Sequence, residues 1–464
     1  MPMRPPTISV CMPARNCAPY LADALASVLS QPIDDLEVLV HDDASEDATA
    51  EVVRACGDGR VRYVRHAQPV GIPANRNSCL AAARGRFVLW LDADDRLLPG
   101  ALPRLVDAIE RHPGVGLVHG AFEVIAEDGR LLPAWPMPFD RDVVERGREA
   151  FRELAVLNYV TAPVLVRRER HDRVGPYATH IGPSSTDWDM WLRLALEADL
   201  AWVAQPLSQY RQHTGSITAA SHRPGTRLHC DAAVIDHVFS RCGDRIPDRD
   251  ATHRLARLAL LGKAVLFARD AVARGEWALA REAVTRHAAA ASLCAADARP
   301  LADALDGHRE IAVHRSSGVL LRQLADALEG TRLAPRLRRA AGGDAAWDRT
   351  LERIAAAVQS VVPHDRHVAA VDKWDPTLLH LARRTGWHFP DRRLMPDGYP
   401  PDDADAIAHL EMLRKLGAAY LVFPSAAFWW LEHYRLFAQY LEARYHAVWR
   451  DADCVIFSLE GRVA

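Results

Sequence analysis

Short apolar runs alternate with helical patterns along the N-terminal part of the chain. Ile8-Ser9-Val10-Cys11-Met12 reads as a strand stopped by Pro13, and Tyr20 to Leu29 carries helical spacing. Leu36 to Val40 is the next strand, ending in His41-Asp42-Asp43, and Ser45 is placed to cap a helix over Glu46 to Cys56. Val61 to Val64 is a third strand, followed by a helix over Ala74 to Arg84. Phe87 to Leu91 reads as a buried strand, Pro99 to Arg111 as a helix opened by its proline, and Val115 to Val118 as a further strand.

This alternation predicts an α/β fold, a mostly parallel sheet flanked by helices. Ligands of such sheets bind beyond the carboxyl ends of the strands. The predicted ends are Pro13-Ala14-Arg15-Asn16, Asp42-Asp43-Ala44-Ser45 and Asp92-Ala93-Asp94-Asp95. Polar and acidic side chains therefore collect on one rim.

Beyond Arg223 the strand pattern gives way to helical periodicity, as over Thr252–Val272 and Trp277–Ala291. An α/β pattern returns in the last part. His367 to Val371 reads as a strand followed by Asp372-Lys373, Ala404 to Leu416 as helix and Tyr420 to Phe423 as strand. Phe428 to Arg444 reads as one aromatic-rich helix and Cys454 to Phe457 as a terminal strand. The expected domains are 1–222, α/β; 223–355, a helical linker; and 356–464, a small α/β unit.

Composition narrows the classes. The charge balance is 57 basic against 60 acidic residues, which argues against a nucleic-acid partner held by bulk electrostatics. No apolar run approaches the roughly 20 residues of a membrane span, and the N-terminus shows no signal-peptide core. The 8 cysteines are scattered without a Cys-x-x-Cys pair, against a structural zinc site or a disulfide scaffold. A reducing cytoplasm, its membrane face included, is the expected setting.

Asp92-Ala93-Asp94 follows a buried strand, and carboxylates so spaced can offer oxygens to Mg²⁺ or Mn²⁺. Alone, an Asp-x-Asp is more often a solvated turn or a helix cap. Its companions change that. Ile8 to Asn16, Asp42-Asp43-Ala44-Ser45-Glu46-Asp47, Gly71-Ile72-Pro73-Ala74-Asn75-Arg76-Asn77 and Asp92-Ala93-Asp94 occur in order. With them, residues 1–222 resemble a family 2 glycosyltransferase of the GT-A fold. Arg15 stands where that family commonly has tyrosine, Ala44 where it has glycine, and Asn75 where it has alanine.

The resemblance implies roles by position. Pro13, Ala14, Arg15 and Asn16 form the nucleotide-binding loop, Asp42 or Asp43 contacts the nucleobase, and Arg76 lies along the base or its phosphates. Asp92 reaches the ribose and Asp94 holds the divalent cation. Thr186-Asp187-Trp188-Asp189-Met190-Trp191-Leu192-Arg193 resembles the segment that carries the family's general base, which assigns that role to Asp187 although Thr186 replaces the usual glutamate. A helix cap is the other reading of Asp187. Asp189 is the runner-up for the base, with the holding of nearby backbone as its expected role. Tyr210-Arg211-Gln212-His213-Thr214-Gly215-Ser216 matches a further family segment, placing His213 at the diphosphate or the cation.

One base without a second carboxylate as nucleophile implies in-line displacement with inversion. The implied partners are a nucleotide-diphosphate sugar and a glycan or lipid-linked acceptor, in bacterial polysaccharide or glycan assembly. A non-catalytic nucleotide-sugar or glycan binding module with the same fold is the rival reading. A dinucleotide-dependent oxidoreductase lacks the glycine-rich turn after the first strand. The C-terminal stretches Gly386–Pro390, Gly417–Pro424 and Phe428–Tyr434 resemble a small domain appended to bacterial sugar-modifying enzymes. Its aromatic residues are expected in its core.

Overall fold

The computed structural model describes residues 5–460, apart from 136, 183, 217–225, 292–294, 309, 342–344, 372–385, 390–399 and 401. Its contacts divide the chain into two compact units. The first comprises Met1–Ala271, Ala278–Ala298 and Gln323–Leu337, and the second Val272–Trp277, Arg299–Arg322 and Arg338–Ala464. The segment expected as a linker is thus shared between them.

The first unit begins with β1 (Ile8–Ala14), α1 (Ala18–Leu29), β2 (Leu36–Asp42), α2 (Thr49–Cys56), β3 (Val61–Arg65), α3 (Ile72–Ala82) and β4 (Phe87–Trp90). It continues through β5 (Arg96–Leu97), α4 (Ala101–Arg111), β6 (Val115–Ile125), β7 (Val143–Glu145), α5 (Gly147–Val156) and β8 (Val164–Arg167). α6 (Arg168–Val174), α7 (Thr186–Ala195), β9 (Asp199–Arg211), α8 (Thr226–Arg241), α9 (Arg249–Ala273) and α10 (Trp277–Ala290) follow. The strands form one 9-stranded sheet in the order β3-β2-β1-β4-β8-β6-β9-β5, with β7 on β9. β1 to β4 pair in parallel, β8 runs antiparallel to β4 and β6, and β6 pairs with β9 in parallel. This is the mostly parallel, helix-flanked sheet of the GT-A fold.

Burial on both faces explains why β1, β2 and β4 read as mostly apolar runs; the polar pair inside them, Ser9 and Glu37, bonds across β1 and β2 at 2.7 Å. Their register aligns Ala14 with Asp42 and Cys11 with Trp90, so the polar ends of all three strands meet on one edge. Two helix starts differ from expectation. α2 begins at Thr49 with Ala48 as its cap, because the Ser45 hydroxyl accepts the Asn16 N–H at 2.9 Å. α4 begins at Ala101 behind Gly100, so Pro99 lies outside it. α8 and α9 belong to the core of this unit: Val234, Ile235, Val238, Phe239, Leu260 and Ala264 cluster with Trp188 and Trp191.

In the second unit, α11 (Ala295–Asp306), α12 (Glu310–Ala327), α13 (Ala334–Ala340) and α14 (Ala345–Val361) include segments that divide between the units. They lead to β10 (His367–Val371), β11 (Gly386–Phe389), α15 (Asp403–Lys415), β12 (Ala418–Pro424), α16 (Trp429–His433), α17 (Arg435–Arg444), β13 (His446–Arg450) and β14 (Cys454–Ser458). The sheet order is β11-β10-β12-β14-β13. β10 is parallel to both neighbours, and β14 is antiparallel to both of its own. Phe389, Phe423, Trp430, Tyr434, Phe437 and Phe457 build its core, the place expected for its aromatic residues. Asp372, Lys373 and Pro390 lie outside the described residues. Among the described residues, no helix is long and apolar enough to cross a membrane.

Candidate active site

The first wall of the rim is the loop after β1. Ala14 is buried and its carbonyl accepts the Asp43 N–H at 2.9 Å, while Arg15 and Asn16 are exposed. Asn16 takes a left-handed conformation (φ 51°), which asparagine tolerates, and its side chain accepts the Glu46 N–H at 2.9 Å. Ala44 is also left-handed (φ 55°), at the position where the family has glycine. A Cβ there carries a steric cost that glycine lacks.

Asp42 and Asp43 shape this wall from within. Asp42 is fully buried; it accepts the Tyr63 hydroxyl at 2.5 Å and the Ser45 N–H at 2.8 Å. Asp43 accepts the N–H groups of Val70 at 2.6 Å and Gly71 at 3.0 Å, with Arg15 Nη1 at 3.8 Å. Gly71 (φ 84°) precedes α3 and needs glycine's freedom there. The two carboxylates thus fix the loops on either side of the rim.

α3 carries Arg76 to the rim. Its Nη2 lies 3.5 Å from Asp92 Oδ1, and its guanidinium sits 5.6 Å above the Tyr177 ring. Asn77 holds Tyr177 by two backbone bonds, donating to its carbonyl at 3.0 Å and accepting its N–H at 2.7 Å. Desolvation raises the Asp92 pKa, Arg76 opposes this, and the charges of Asp94 and Asp187 add to the rise.

Asp94 meets His213 across the sheet, with Oδ2 3.0 Å from Nε2. Arg211, at the end of β9, donates to the Asp94 carbonyl at 3.0 Å and its N–H goes to Asp95 Oδ1 at 2.8 Å. Tyr20 braces this corner: its ring lies 4.6 Å from that of His213, and its hydroxyl donates to Glu127 at 2.8 Å. Asp95 is buried, and burial with the charges of Asp94 and Asp92 pushes its pKa well above the usual carboxylate range. The Cys17 thiol registers the same field: burial first, then the charge of Asp94, pushes it up to about 12.

Among the described residues no three His, Cys, Asp or Glu side chains form a ready metal cage. A magnesium ion does not need one, because it is commonly held by one or two carboxylates together with substrate phosphates. Asp94 Oδ1 has no protein partner among the described residues, and the rim field is negative. Asp94 with His213 fits such an ion.

Asp187 stands in the first turn of α7, half-buried, and Ser185 occupies the cap position. Its Oδ1 accepts the Trp188 N–H at 2.8 Å. The charge of Asp187 reaches Arg76, Asp92 and Tyr177, which brings this helix end to the same rim. Asp189 points the other way. It is fully buried, accepts from Arg193 at 2.6 and 3.0 Å, and lies 2.7 Å from His237 Nδ1. It holds side chains, not backbone; Arg193 in turn donates to the carbonyls of Val174 and Pro176.

A brace around α7 escaped sequence reasoning. Ser185 donates to Asp231 at 2.8 Å, Lys263 donates to the same carboxylate at 2.9 Å, and Lys263 Nζ sits 4.4 Å above the Trp188 ring. The available signal was a lysine within an apolar helix of a chain otherwise nearly devoid of lysine. Tyr177 gave no comparable signal.

A mostly parallel mixed sheet with its strand ends, an Asp-x-Asp and a facing helix end gathered on one edge defines a GT-A-type sugar-nucleotide fold. The chain belongs to glycosyl transferase family 2, whose family model matches residues 9–175. An uncharacterized protein of Mycobacterium tuberculosis is 32% identical over 225 residues, covering 46% of this chain and 68% of that one. The succinoglycan biosynthesis protein ExoO of Rhizobium meliloti is 35% identical over 127 residues, 27% of this chain and 36% of ExoO. This chain therefore spans only about a third of ExoO. The crystal structure of S. aureus TarS 1-349 in complex with UDP-GlcNAc shares the fold, with a TM-score of 0.51 and 17% identity over 68% of this chain and 90% of that one.

Proposed function

We propose that this chain is an inverting glycosyltransferase, assisted by Mg²⁺ or Mn²⁺, that moves a sugar from a nucleotide diphosphate to a hydroxyl of a glycan or lipid-linked acceptor. Bacterial polysaccharide assembly is the setting, in keeping with ExoO, and the UDP-GlcNAc of the TarS fragment supports a nucleotide-sugar donor. The carrying observation is that Arg76 lies 3.5 Å from Asp92 and His213 3.0 Å from Asp94 at the strand ends, which supports a donor cleft there; the influence of Asp187 on Arg76 and Asp92 is in keeping with a base on the same rim. We assign the chemistry to residues 1–222, with 223–355 and 356–464 in supporting roles.

In this reading Pro13, Ala14, Arg15, Asn16 and the Asp42-Asp43 turn bound the nucleobase end of the donor. Arg76 and Asp92 flank the ribose and diphosphate, and Asp94 with His213 holds the cation. Bound there, the cation offsets the charge that grows on the leaving diphosphate. Asp187 takes the proton of the acceptor hydroxyl as that oxygen bonds to the anomeric carbon. The bond from that carbon to the diphosphate breaks, its electron pair leaves with the phosphate oxygen, and one displacement inverts the centre.

The test offers the purified chain a panel of UDP- and GDP-sugars with Mn²⁺ and measures nucleotide release, with and without chelator. Release that the chelator abolishes is the expected result. Asp187→Asn should keep donor affinity while transfer falls at least about 10²-fold. No release from any donor would favour the binding-module reading, and a parallel loss of affinity and rate would make Asp187 structural.

A further inference from the structure

The last turn of α7 opens on a second site. Arg193 lies six residues beyond Asp187, about 9 Å along the helix axis at 1.5 Å per residue. There a cleft of about 330 Å³ is lined by Arg173, Val174, Arg193, Arg241, Cys242 and Arg245. They come from the end of α6, the last turn of α7, and the end of α8 with the turn after it.

Four guanidinium groups around one cleft repel each other, so the nearby carboxylates decide its charge. Asp189 neutralises the buried Arg193, whose other N–H groups go to backbone carbonyls. Glu197 pairs with Arg245. Arg173 and Arg241 are exposed and have no carboxylate partner among the described residues. The cleft therefore carries two uncompensated positive charges in a chain of formal net charge -3. The charges of Arg245, Arg193 and Arg241 all reach the buried Cys242 thiol at its wall, which places their field inside the cleft.

We infer that this cleft binds a phosphate group, independently of the sugar-nucleotide rim. Guanidinium forks match the oxygens of phosphate in geometry and charge. A phosphate monoester carries about −1.5 to −2 charges at neutral pH, which balances Arg173 and Arg241 together. A single carboxylate would leave one of them unmatched. The phosphate comes either from solution or from a lipid headgroup at a membrane face.

The experiment titrates inorganic phosphate into the full chain by calorimetry at low salt, and compares Arg173→Ala/Arg241→Ala with Arg76→Ala at the rim. Saturable binding that weakens at least about tenfold in the double variant and persists in Arg76→Ala is expected. The charge-preserving Arg173→Lys/Arg241→Lys should retain part of it. Circular dichroism confirms that each variant is folded. Absence of binding to the wild-type chain, equal binding in the folded double variant, or loss only in Arg76→Ala overturns the inference. A second arm sediments the chain with vesicles of phosphatidylcholine alone or with added phosphatidic acid, whose headgroup is a phosphate monoester. Arginine-dependent capture by the anionic vesicles alone assigns the source to a headgroup; phosphate binding without capture assigns it to soluble phosphate.

Discussion

Asp187 and Asp189 stand two residues apart on α7, and replacing each with asparagine should have opposite consequences. Asp189 is fully buried and accepts two bonds from Arg193, whose side chain is itself only 2% exposed. Asp189→Asn leaves that guanidinium charge buried without its counter-ion, a change that costs about 3–5 kcal/mol. Asparagine keeps one oxygen to accept from Arg193, so the lower end, about 3 kcal/mol, applies. That is a large share of the roughly 5–15 kcal/mol that holds a native protein together. Asp187 is half-buried, and its one hydrogen bond among the described residues, to the Trp188 N–H, survives in asparagine; its change should stay within about 0.5 kcal/mol. Urea unfolding followed by tryptophan fluorescence reads both, since Trp188 and Trp191 lie on the same helix. The pH dependence adds a second check. Burial works to raise the Asp189 pKa, but His237 and Arg193 outweigh it and hold the carboxyl below its usual value. Its stabilisation is therefore complete above the unfolded pKa of about 3.9 and is lost as pH falls through the lower folded value. Wild type and Asp189→Asn should differ fully at neutral pH and converge in acid. A loss under about 1 kcal/mol for Asp189→Asn, or an equal loss for Asp187→Asn, would refute this division of the two carboxylates.

Asp94→Asn should abolish Mn²⁺-dependent nucleotide release while leaving the thermal unfolding profile unchanged, because Asp94 sits on an open rim; wild-type turnover would remove it from the cation site. Ala44→Gly should raise stability by up to about 1 kcal/mol, the left-handed strain of alanine less the greater unfolded freedom of glycine. A loss of stability in that variant would mean that the Ala44 methyl packs usefully in spite of its φ of 55°.

The parts most legible in the sequence are those whose environment is uniform. β1, β2 and β4 are buried on both faces, so each reads as a mostly apolar run, broken only by Ser9 and Glu37, which bond to each other at 2.7 Å, before the polar ends of the strands. The strand pattern of β6 reads only from Val115 to Val118. It continues to Ile125, and Gly120 is there because a Cβ would lie 2.5 Å from Leu207 Cδ1 and 2.6 Å from the Val203 carbonyl oxygen. β13 has no fully buried residue and left no periodic signal. The expected helix over Phe428 to Arg444 breaks at Tyr434, whose ψ of 76° is not helical, and Tyr434 sends its hydroxyl to the Pro400 carbonyl. In the candidate site, the motifs located the rim but not the use of each atom. Asp42 or Asp43 reads as a nucleobase contact, and the fold adds a second use: their oxygens hold Tyr63, Ser45, Val70 and Gly71. Such pairings join residues far apart in sequence and leave no local pattern.

The bond between Asp94 and His213 joins residues 119 positions apart. Synthesis proceeds from the N-terminus, so the first four strands can pair while the imidazole is still unmade. A fragment released before β9 would hold the loops after β1 and β2 and the acidic turn after β4 but lack both Arg211 and His213. Closing so long a loop also carries a large entropic barrier, which makes this corner among the last parts of the sheet to settle. The ribosome thus delivers most of the sheet well before it delivers this corner, and on the proposed assignment of Asp94 and His213 to the cation, incomplete chains are kept from the chemistry by their order of emergence.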